Sequence, residues 1–138
     1  RHQVDATRRL AEFCAESPCV RSVSYVGYED HPSHKNAAKY YRDASSGVFT
    51  IELEGDLDTT SRFVEALELC AHMTMIGDSI TVVTHPASTT HKQLSEADML
   101  AAGVTPTLLR ISLGLEDVED IIDDFRQAFE KCGLASKA

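Results

Sequence analysis

The sequence contains no tryptophan, no low-complexity tract and no apolar run long enough to span a bilayer. Hydrophobic residues make up 43% of the chain and charged residues 25%, a composition typical of a folded protein and not of a disordered one. With 138 residues the chain is long enough to bury one hydrophobic core and too short for two. These observations exclude a membrane-spanning or disordered chain and predict a single folded domain.

Basic residues are few, because 13 Lys and Arg stand against 22 Asp and Glu and leave a formal net charge of -9. No stretch collects Lys and Arg into the patch that a phosphate backbone requires, so nucleic acid is not an expected partner. Seven of the acids lie between Glu116 and Glu130. A cationic partner is one interpretation of this cluster, but we favour the solvated face of an acidic helix.

The four cysteines form no Cys-x-x-Cys pair and the six histidines supply no i, i+4 pair, so a metal site is not expected. Reduced, mostly buried thiols in a cytoplasmic protein are the better interpretation. The chain opens Arg-His-Gln-Val, with neither an initiator Met nor the apolar core of a signal peptide. We therefore expect it to be part of a longer protein.

Hydrophobic periodicity predicts alternating helices and strands. Apolar residues from Ala6 to Cys14 recur at helical spacing, and the Ser17-Pro18 pair ends that helix. Four segments are predicted to be strands, and the first two of them alternate apolar and polar side chains, as half-buried strands do. These predicted strands are residues 20–25, 47–53, 79–84 and 108–113.

Helices are also predicted between the strands and after the last one. Short helices fit residues 35–41 and 95–102, and Gly103 ends the second of them. Asp58 is expected to cap a longer helix, because its carboxylate can accept hydrogen bonds from the free amides of the first turn. The core-facing residues predicted for that helix are Phe63, Val64, Leu67 and Cys70.

The last helix has the clearest periodicity, which runs from Val118 to Phe129, and Gly133 is placed to supply a left-handed C-terminal cap. Strands interleaved with helices in one small domain predict an α/β sandwich, a four-stranded sheet covered by helices on at least one face. The lengths of the connections do not determine the strand order.

Two features could carry chemistry. The first is the polar loop at residues 84–91 (Thr-His-Pro-Ala-Ser-Thr-Thr-His), which leaves a predicted strand. Local backbone hydrogen bonds from its hydroxyls are the simpler explanation, and His85 and His91 are more often structural than catalytic in such a setting. The second is Arg110, which interrupts an apolar strand and can face solvent, pair with an acid or bind a carboxylate or phosphate. No complete catalytic set is visible.

The same two features resemble the C-terminal region of the Cys/Met-metabolism enzymes that depend on pyridoxal 5'-phosphate (PLP). The matching motifs are Gly77-Asp78, the loop at residues 84–91, and residues 109–117 (Leu-Arg-Ile-Ser-Leu-Gly-Leu-Glu-Asp). The segments at residues 23–27 and 31–40 resemble the family as well. The resemblance covers nearly the whole chain and implies the small C-terminal domain of a fold type I PLP enzyme over residues 1–138.

The resemblance implies three substrate-binding residues. Arg110 would bind the α-carboxylate of an amino-acid substrate, a task that suits its planar guanidinium. Thr90 would lie close to that carboxylate, and the segment at Met75 would line the same pocket. Glu116 and Asp117 would start the closing helix in a structural role. Met75 departs from the Ser or Asn that is common in the family, so one polar contact to the substrate is expected to be absent here.

The resemblance also indicates what this chain lacks. Family members hold PLP as a Schiff base on a lysine of a large N-terminal domain. The five lysines here lie in helical, polar or terminal settings and do not match that lysine motif. We therefore predict that PLP is bound by a large domain absent from this chain, and that this polypeptide alone is inactive.

Within the family, residues 88–94 and 102–106 most resemble O-acetylhomoserine sulfhydrylases, which replace the acetoxy group on the γ-carbon by sulfide. A methionine or cystathionine γ-lyase is the close alternative. A stand-alone, non-catalytic domain that binds carboxylates or a partner protein is the alternative from another class. The resemblance implies a parent enzyme that is a cytoplasmic homotetramer.

Overall fold

The computed structural model describes residues 1–41, 46–89 and 93–134, in which helices and strands alternate. The helices are α1 (His2–Glu16), α2 (His34–Tyr40), α3 (Leu57–Ala66), α4 (Glu96–Ala101) and α5 (Val118–Lys131). The strands are β1 (Val20–Ser24), β2 (Val48–Leu53), β3 (Ala71–His72), β4 (Val82–Thr84) and β5 (Leu108–Ser112). No helix in these ranges is long and apolar enough to cross a membrane.

The strands form one sheet in the order β1-β2-β5-β4-β3. The pairs β1–β2, β2–β5 and β5–β4 are antiparallel, and β4–β3 is parallel. Side chains alternate between the two faces, so that Phe49 and Ile51 of β2 share one face with their partners Ile111 and Leu109 of β5. All four are buried, and we call this side the helix-covered face.

Helices α1, α3 and α5 pack against that face. Leu10 of α1, Phe63 of α3 and Phe125 of α5 are fully buried in one cluster with the strand side chains. The rings of Phe63 and Phe125 pack in a T-shaped arrangement with their centroids 5.4 Å apart, and Phe63 stacks on Phe129 at a centroid distance of 4.8 Å. Each such buried side chain stabilises the fold by roughly 1.5–3 kcal/mol. The predicted α/β architecture with a helix-covered sheet is therefore confirmed.

Several local predictions are also confirmed. The backbone at Gly103 and Gly133 is left-handed, with φ of 75° and 84°, where each follows a helix as a C-terminal cap. Asp117 is the N-cap of α5 and accepts a hydrogen bond from the amide of Glu119. All four cysteines lie in the described ranges, and they are buried and unbridged.

The sheet has five strands where the sequence predicts four. The additional strand, β3, is only two residues long, too short to show an alternating pattern. Of the third predicted strand, residues 79–84, only Val82–Thr84 pair with neighbouring strands as β4. The reason is that carboxylate side chains bind backbone amides just before β4. Asp78 accepts from the amide of Ser79, and Glu116 accepts from the amide of Thr81.

Two predictions about α3 are wrong. Its N-cap is Asp56 and not Asp58, because the Asp56 carboxylate accepts from the amide and the hydroxyl of Thr59. The helix ends at Ala66, so that Cys70 is buried outside the helix. The first helix likewise begins at His2, earlier than the predicted Ala6.

The reason for the early end of α3 is Asp124 of α5. Its carboxylate accepts hydrogen bonds from three successive backbone amides, those of Glu68, Leu69 and Cys70, at 2.8–2.9 Å. Burial acts to raise the pKa of Asp124, but these amides and the side chain of Gln127 outweigh burial and hold the pKa below its usual value. Asp124 thereby ties α5 to the segment that leads into β3.

Candidate functional site

The second face of the sheet carries a row of polar side chains. In the strand register, Ser24 of β1 lies opposite Thr50 of β2, Thr50 lies opposite Arg110 of β5, and Arg110 lies opposite Thr84 of β4. Residues directly opposite in neighbouring strands point to the same face. We call this side, with Arg110 near its middle, the open face.

Among the described residues, only neutral groups hold Arg110 on the open face. Its Nη2 donates to the carbonyl oxygen of Thr74 at 2.9 Å and contacts the hydroxyl oxygen of Thr84 at 3.4 Å. A guanidinium has five N–H donors, so these contacts leave the two donors of Nη1 and the one on Nε. Nε is shielded from solvent and has no acceptor among the described residues.

The positive charge of Arg110 is likewise without a carboxylate partner in the part of the chain that the structure describes. The ion pairs recorded there involve Arg9, Arg21, Arg62, Arg126 and Lys131. A half-buried guanidinium with free donors and no counter-charge is suited to bind a planar anion such as a carboxylate. Of the three roles that the sequence leaves open for Arg110, an ion pair with an acid is not formed with any described residue. Exposure to solvent and binding of a carboxylate or phosphate remain.

Thr84 connects Arg110 to the neighbouring loop. Its side chain is only 2% exposed, and its hydroxyl donates to the carbonyl oxygen of Met73 at 2.5 Å. In the sequence, Thr84 is only the first residue of the polar loop, and no pattern assigns it a role. Its position at the end of a predicted strand is the one feature that could have drawn attention to Thr84. Its pairing with Arg110 depends on the strand order, which the sequence does not determine.

Met75 lies in a segment, residues 73–80, whose backbone is anchored and whose apolar side chains face outward. The amide of Gly77 donates to the hydroxyl oxygen of Ser112, and the side chain of Gln3 donates to the carbonyl oxygen of Asp78. The exposed side chains are Met73, Met75, Ile76 and Ile80, at 39–59% exposure. The structure therefore places Met75 next to Thr74, whose carbonyl oxygen binds Arg110, with its side chain available for contact.

Glu116 supports the end of this segment. Its carboxylate accepts from both the amide and the hydroxyl of Thr81, at 2.6 and 2.8 Å. The hydroxyl oxygen of Thr81 in turn accepts from the amide of Gly114. Any side chain at Gly114 would meet the backbone of Ile80 and Thr81 at 2.4–2.5 Å. These contacts agree with the structural role expected for Glu116.

His85 organises the polar loop and is fully buried. The carbonyl oxygen of Pro106 lies 2.8 Å from Nε2 and can only accept, so Nε2 carries the proton and Nδ1 accepts from the hydroxyl of Ser88. Burial lowers the pKa of His85, and the bond to Pro106 offsets this only in part. The hydroxyl of Thr89 donates to the carbonyl oxygen of His85. The structural explanation therefore holds for His85, Ser88 and Thr89, whereas Thr90 and His91 lie outside the described residues.

The described lysines do not fit a cofactor bound through a lysine, because such a lysine lies in a pocket shielded from water. Lys35 and Lys39 are exposed on α2, and Lys131 pairs with Glu68 at the surface. Lys92 and Lys137 lie outside the described residues. None of the described lysines lies in such a shielded pocket, whereas the open face offers hydrogen-bond donors for a planar anion.

Residues 1–130 match the sequence profile of the Cys/Met metabolism PLP-dependent enzymes. The chain is 41% identical to O-acetyl-L-homoserine sulfhydrylase 1 of Thermus thermophilus over 91% of its own length and 30% of that protein. It is 41% identical to homocysteine synthase of Schizosaccharomyces pombe, over 88% of this chain and 28% of that protein. It is 38% identical to L-methionine gamma-lyase of Fusobacterium nucleatum, over 90% of this chain and 31% of that protein.

Two solved structures resemble the fold. A protein described as an O-acetylhomoserine (thiol)-lyase of Campylobacter jejuni, which carries N'-pyridoxyl-lysine-5'-monophosphate, superposes with a TM-score of 0.83 at 33% identity, over 94% of this chain and 31% of that chain. Cystathionine gamma-lyase from yeast superposes with a TM-score of 0.89 at 29% identity, over 96% of this chain and 34% of that chain. The chain spans about 30% of the length of the curated relatives it matches. Family profile, relatives and fold agree with the motifs, and the chain belongs to the Cys/Met metabolism PLP-dependent enzyme family.

Proposed function

We propose that residues 1–138 form the C-terminal substrate-binding domain of a PLP-dependent trans-sulfuration enzyme, and that a large domain outside this chain binds the cofactor. The observation that carries the proposal is Arg110, with three free N–H donors and no counter-charge among the described residues. The PLP of the whole enzyme would supply an electron sink for chemistry at the substrate's carbon atoms. This domain would orient the substrate by its carboxylate.

Arg110 is proposed to bind the α-carboxylate, and Met75 and Thr90 are proposed to line the same site. The Thr74 carbonyl that accepts from Arg110 belongs to the residue just before Met75, which supports the place of Met75 beside the bound carboxylate. Hydrogen bonds to charged groups contribute about 1.5–3 kcal/mol, so the loss of one Arg110–carboxylate bond corresponds to a roughly 10- to 150-fold loss of kcat/KM.

The proposed reaction is replacement on the γ-carbon of a homoserine-derived amino acid. In the sulfhydrylase form, sulfide displaces acetate from O-acetylhomoserine and homocysteine is formed. The names of the Thermus and Schizosaccharomyces relatives support this form. A γ-lyase, which eliminates the γ-substituent of methionine or cystathionine, is the second candidate, and the names of the Fusobacterium relative and the yeast structure favour it. The proposed enzyme is a cytoplasmic homotetramer.

The test uses the longest product that the gene encodes. Formation of homocysteine from O-acetylhomoserine and sulfide supports the sulfhydrylase, and formation of a 2-oxoacid from methionine or cystathionine without sulfide supports the lyase. A gene that encodes this segment alone, with neither activity, would overturn both in favour of a stand-alone binding domain. An absorbance band of lysine-bound PLP is expected from the long product and not from the 138-residue chain.

Arg110→Lys is the variant that tests the site, because lysine keeps the charge but loses the planar fork. Its kcat/KM for the amino acid should fall at least tenfold. Arg21→Lys is the matched control, since Arg21 lies on β1 and pairs with Glu54 where both side chains are about half exposed. Equal kinetics for the two variants would remove Arg110 from the substrate site.

A further inference from the structure

We infer that Thr84 is a positioning residue that sets the orientation of the Arg110 guanidinium for the substrate carboxylate. This inference rests on the proposed function, because it gives Thr84 a role only if Arg110 binds the substrate. Thr84 lies opposite Arg110 in the pairing of β4 with β5 and is almost fully buried at 2% exposure.

The direction of the Thr84 hydroxyl follows from its partners. A hydroxyl has one hydrogen and two lone pairs, and a backbone carbonyl oxygen can only accept. The hydrogen of Thr84 therefore points to the carbonyl oxygen of Met73, at 2.5 Å. Its lone pairs are left for Arg110, whose Nη2 lies 3.4 Å away. Because its one hydrogen is committed to Met73, the hydroxyl presents an acceptor to Arg110.

The same hydrogen bonds join Arg110 to the segment at residues 73–80, which precedes β4. Nη2 of Arg110 bonds to the carbonyl of Thr74, and Thr84 bonds to the carbonyl of Met73, so that two successive carbonyls are held from one side. Both contacts occupy Nη2, which leaves the two donors of Nη1 for a ligand, whereas the unpaired Nε is shielded from solvent. An arginine has several rotatable bonds, and fixing its plane beforehand lowers the entropy lost when a carboxylate binds.

The opposite neighbour of Arg110 provides a matched control. Thr50 of β2 is paired with Arg110 in the same row of the open face, and it is the same β-branched residue type as Thr84. Among the hydrogen bonds of the described residues, none joins the side chains of Thr50 and Arg110. Replacement of either threonine by valine keeps the shape and removes the hydroxyl, so a difference between them reports the Thr84 hydroxyl.

The experiment compares steady-state kinetics of Thr84→Val, Thr84→Ser and Thr50→Val in the full-length PLP-loaded enzyme with O-acetylhomoserine and sulfide. Thr84→Val should raise KM for the amino acid roughly 2- to 13-fold with kcat within about twofold, since one long and therefore weak hydrogen bond to the guanidinium is lost in ground state and transition state alike. Thr84→Ser should restore KM to within about twofold, and Thr50→Val should leave it unchanged. Should Thr84→Val fail to fold, Thr84→Ala removes the same hydroxyl from a smaller side chain.

Arg110→Lys separates the two possible failures. If Arg110→Lys leaves KM unchanged, the proposed carboxylate role of Arg110 is wrong, and the inference about Thr84 falls with it. If Arg110→Lys raises KM but Thr84→Val behaves like Thr50→Val, only the inference is overturned. If the inference is correct, Thr84→Val should change KM for the amino acid by less than a further twofold in the Arg110→Lys background, because the effects of coupled residues are not additive.

Discussion

The helix-covered and open faces use the same strands and differ in what lies against them. On the covered face, Phe49 and Ile111 are at most 2% exposed and pack against three helices. On the open face, Thr50 and Arg110 of the same two strands remain partly accessible. One face therefore buries apolar area, and the other arranges hydrogen-bond acceptors around an arginine whose charge has no carboxylate partner among the described residues.

The pleat of the sheet separates the side chains that stabilise the fold from those that we propose to bind the substrate. Apolar burial is non-directional and scales with area, so the covered face supplies most of the folding free energy. The hydrogen bonds on the open face contribute less to stability, but they determine where Arg110 and the segment at residues 73–80 lie. Substitutions on the two faces should therefore have different consequences.

The largest effect is expected from Phe125→Ala, which breaks the covered face. Phe125 is fully buried against Phe63 and Phe129, so the truncation should lower the free energy of unfolding by about 3–5 kcal/mol. Urea denaturation followed by circular dichroism measures this change. Phe13→Ala is the control, because Phe13 only borders the core and should cost clearly less. Equal losses for the two variants would contradict the assignment of the core.

Asp124→Ala should have the next largest effect, because it leaves three backbone amides without their acceptor. We expect a loss of about 2–4 kcal/mol of unfolding free energy, measured in the same way. Asp123→Ala is the control on the same helix, since the Asp123 side chain is 71% exposed and its ion pair with Arg126 contributes little. A loss below that of Asp123→Ala would show that the carboxylate does not hold this segment.

The same carboxylate should make stability depend on pH. The pKa of Asp124 is lowered in the folded chain, so its contribution is fully present above the unfolded value, near 3.8, and is lost as the pH falls through the lower folded pKa. Denaturation of the wild type and Asp124→Asn at pH 7 and at pH values below 4 measures this contribution. The difference in stability between the two should shrink in acid, and a constant difference would contradict the lowered pKa.

Arg110→Lys tests the open face, where we expect a substitution to change kinetics more than stability. It should change the free energy of unfolding by less than about 1 kcal/mol, although kcat/KM of the full-length enzyme is expected to fall at least tenfold. Thermal denaturation and kinetics on the same preparation measure the two quantities. A large loss of stability with unchanged kinetics would mean that Arg110 belongs to the structural part of the sheet.

The smallest effect is expected from His85. Burial lowers its pKa, so the unfolded chain takes up a proton near pH 6.5 while the folded chain does not. The stability that depends on neutral His85 is fully present above pH 6.5 and declines as the pH falls from there towards the lower folded pKa. Melting temperatures between pH 7.5 and 5.5 should fall less steeply in His85→Asn than in the wild type, and parallel slopes would contradict this assignment.

Much of the fold can be predicted from the sequence, because the signals lie within single segments. The alternation in β2 and the helical spacing in α5 each repeat over several residues, and the left-handed Gly133 follows its helix directly. The boundaries are less predictable. Both Asp56 and Asp58 are good caps by residue type, and only the bonds to Thr59 in the folded chain select Asp56.

By itself the sequence predicted the five helices, four of the five strands, the α/β class and the family, and its resemblance to that family singled out Arg110. The tertiary structure decided the strand order, the short β3, and the contacts that hold Arg110 and the loop before β4. The physical reason is distance along the chain. Asp124 meets amides 54 to 56 positions away, and Arg110 meets Thr74 at 36 and Thr84 at 26. Such pairs leave no local periodicity, and they form only when the strands have been ordered by packing of the covered face.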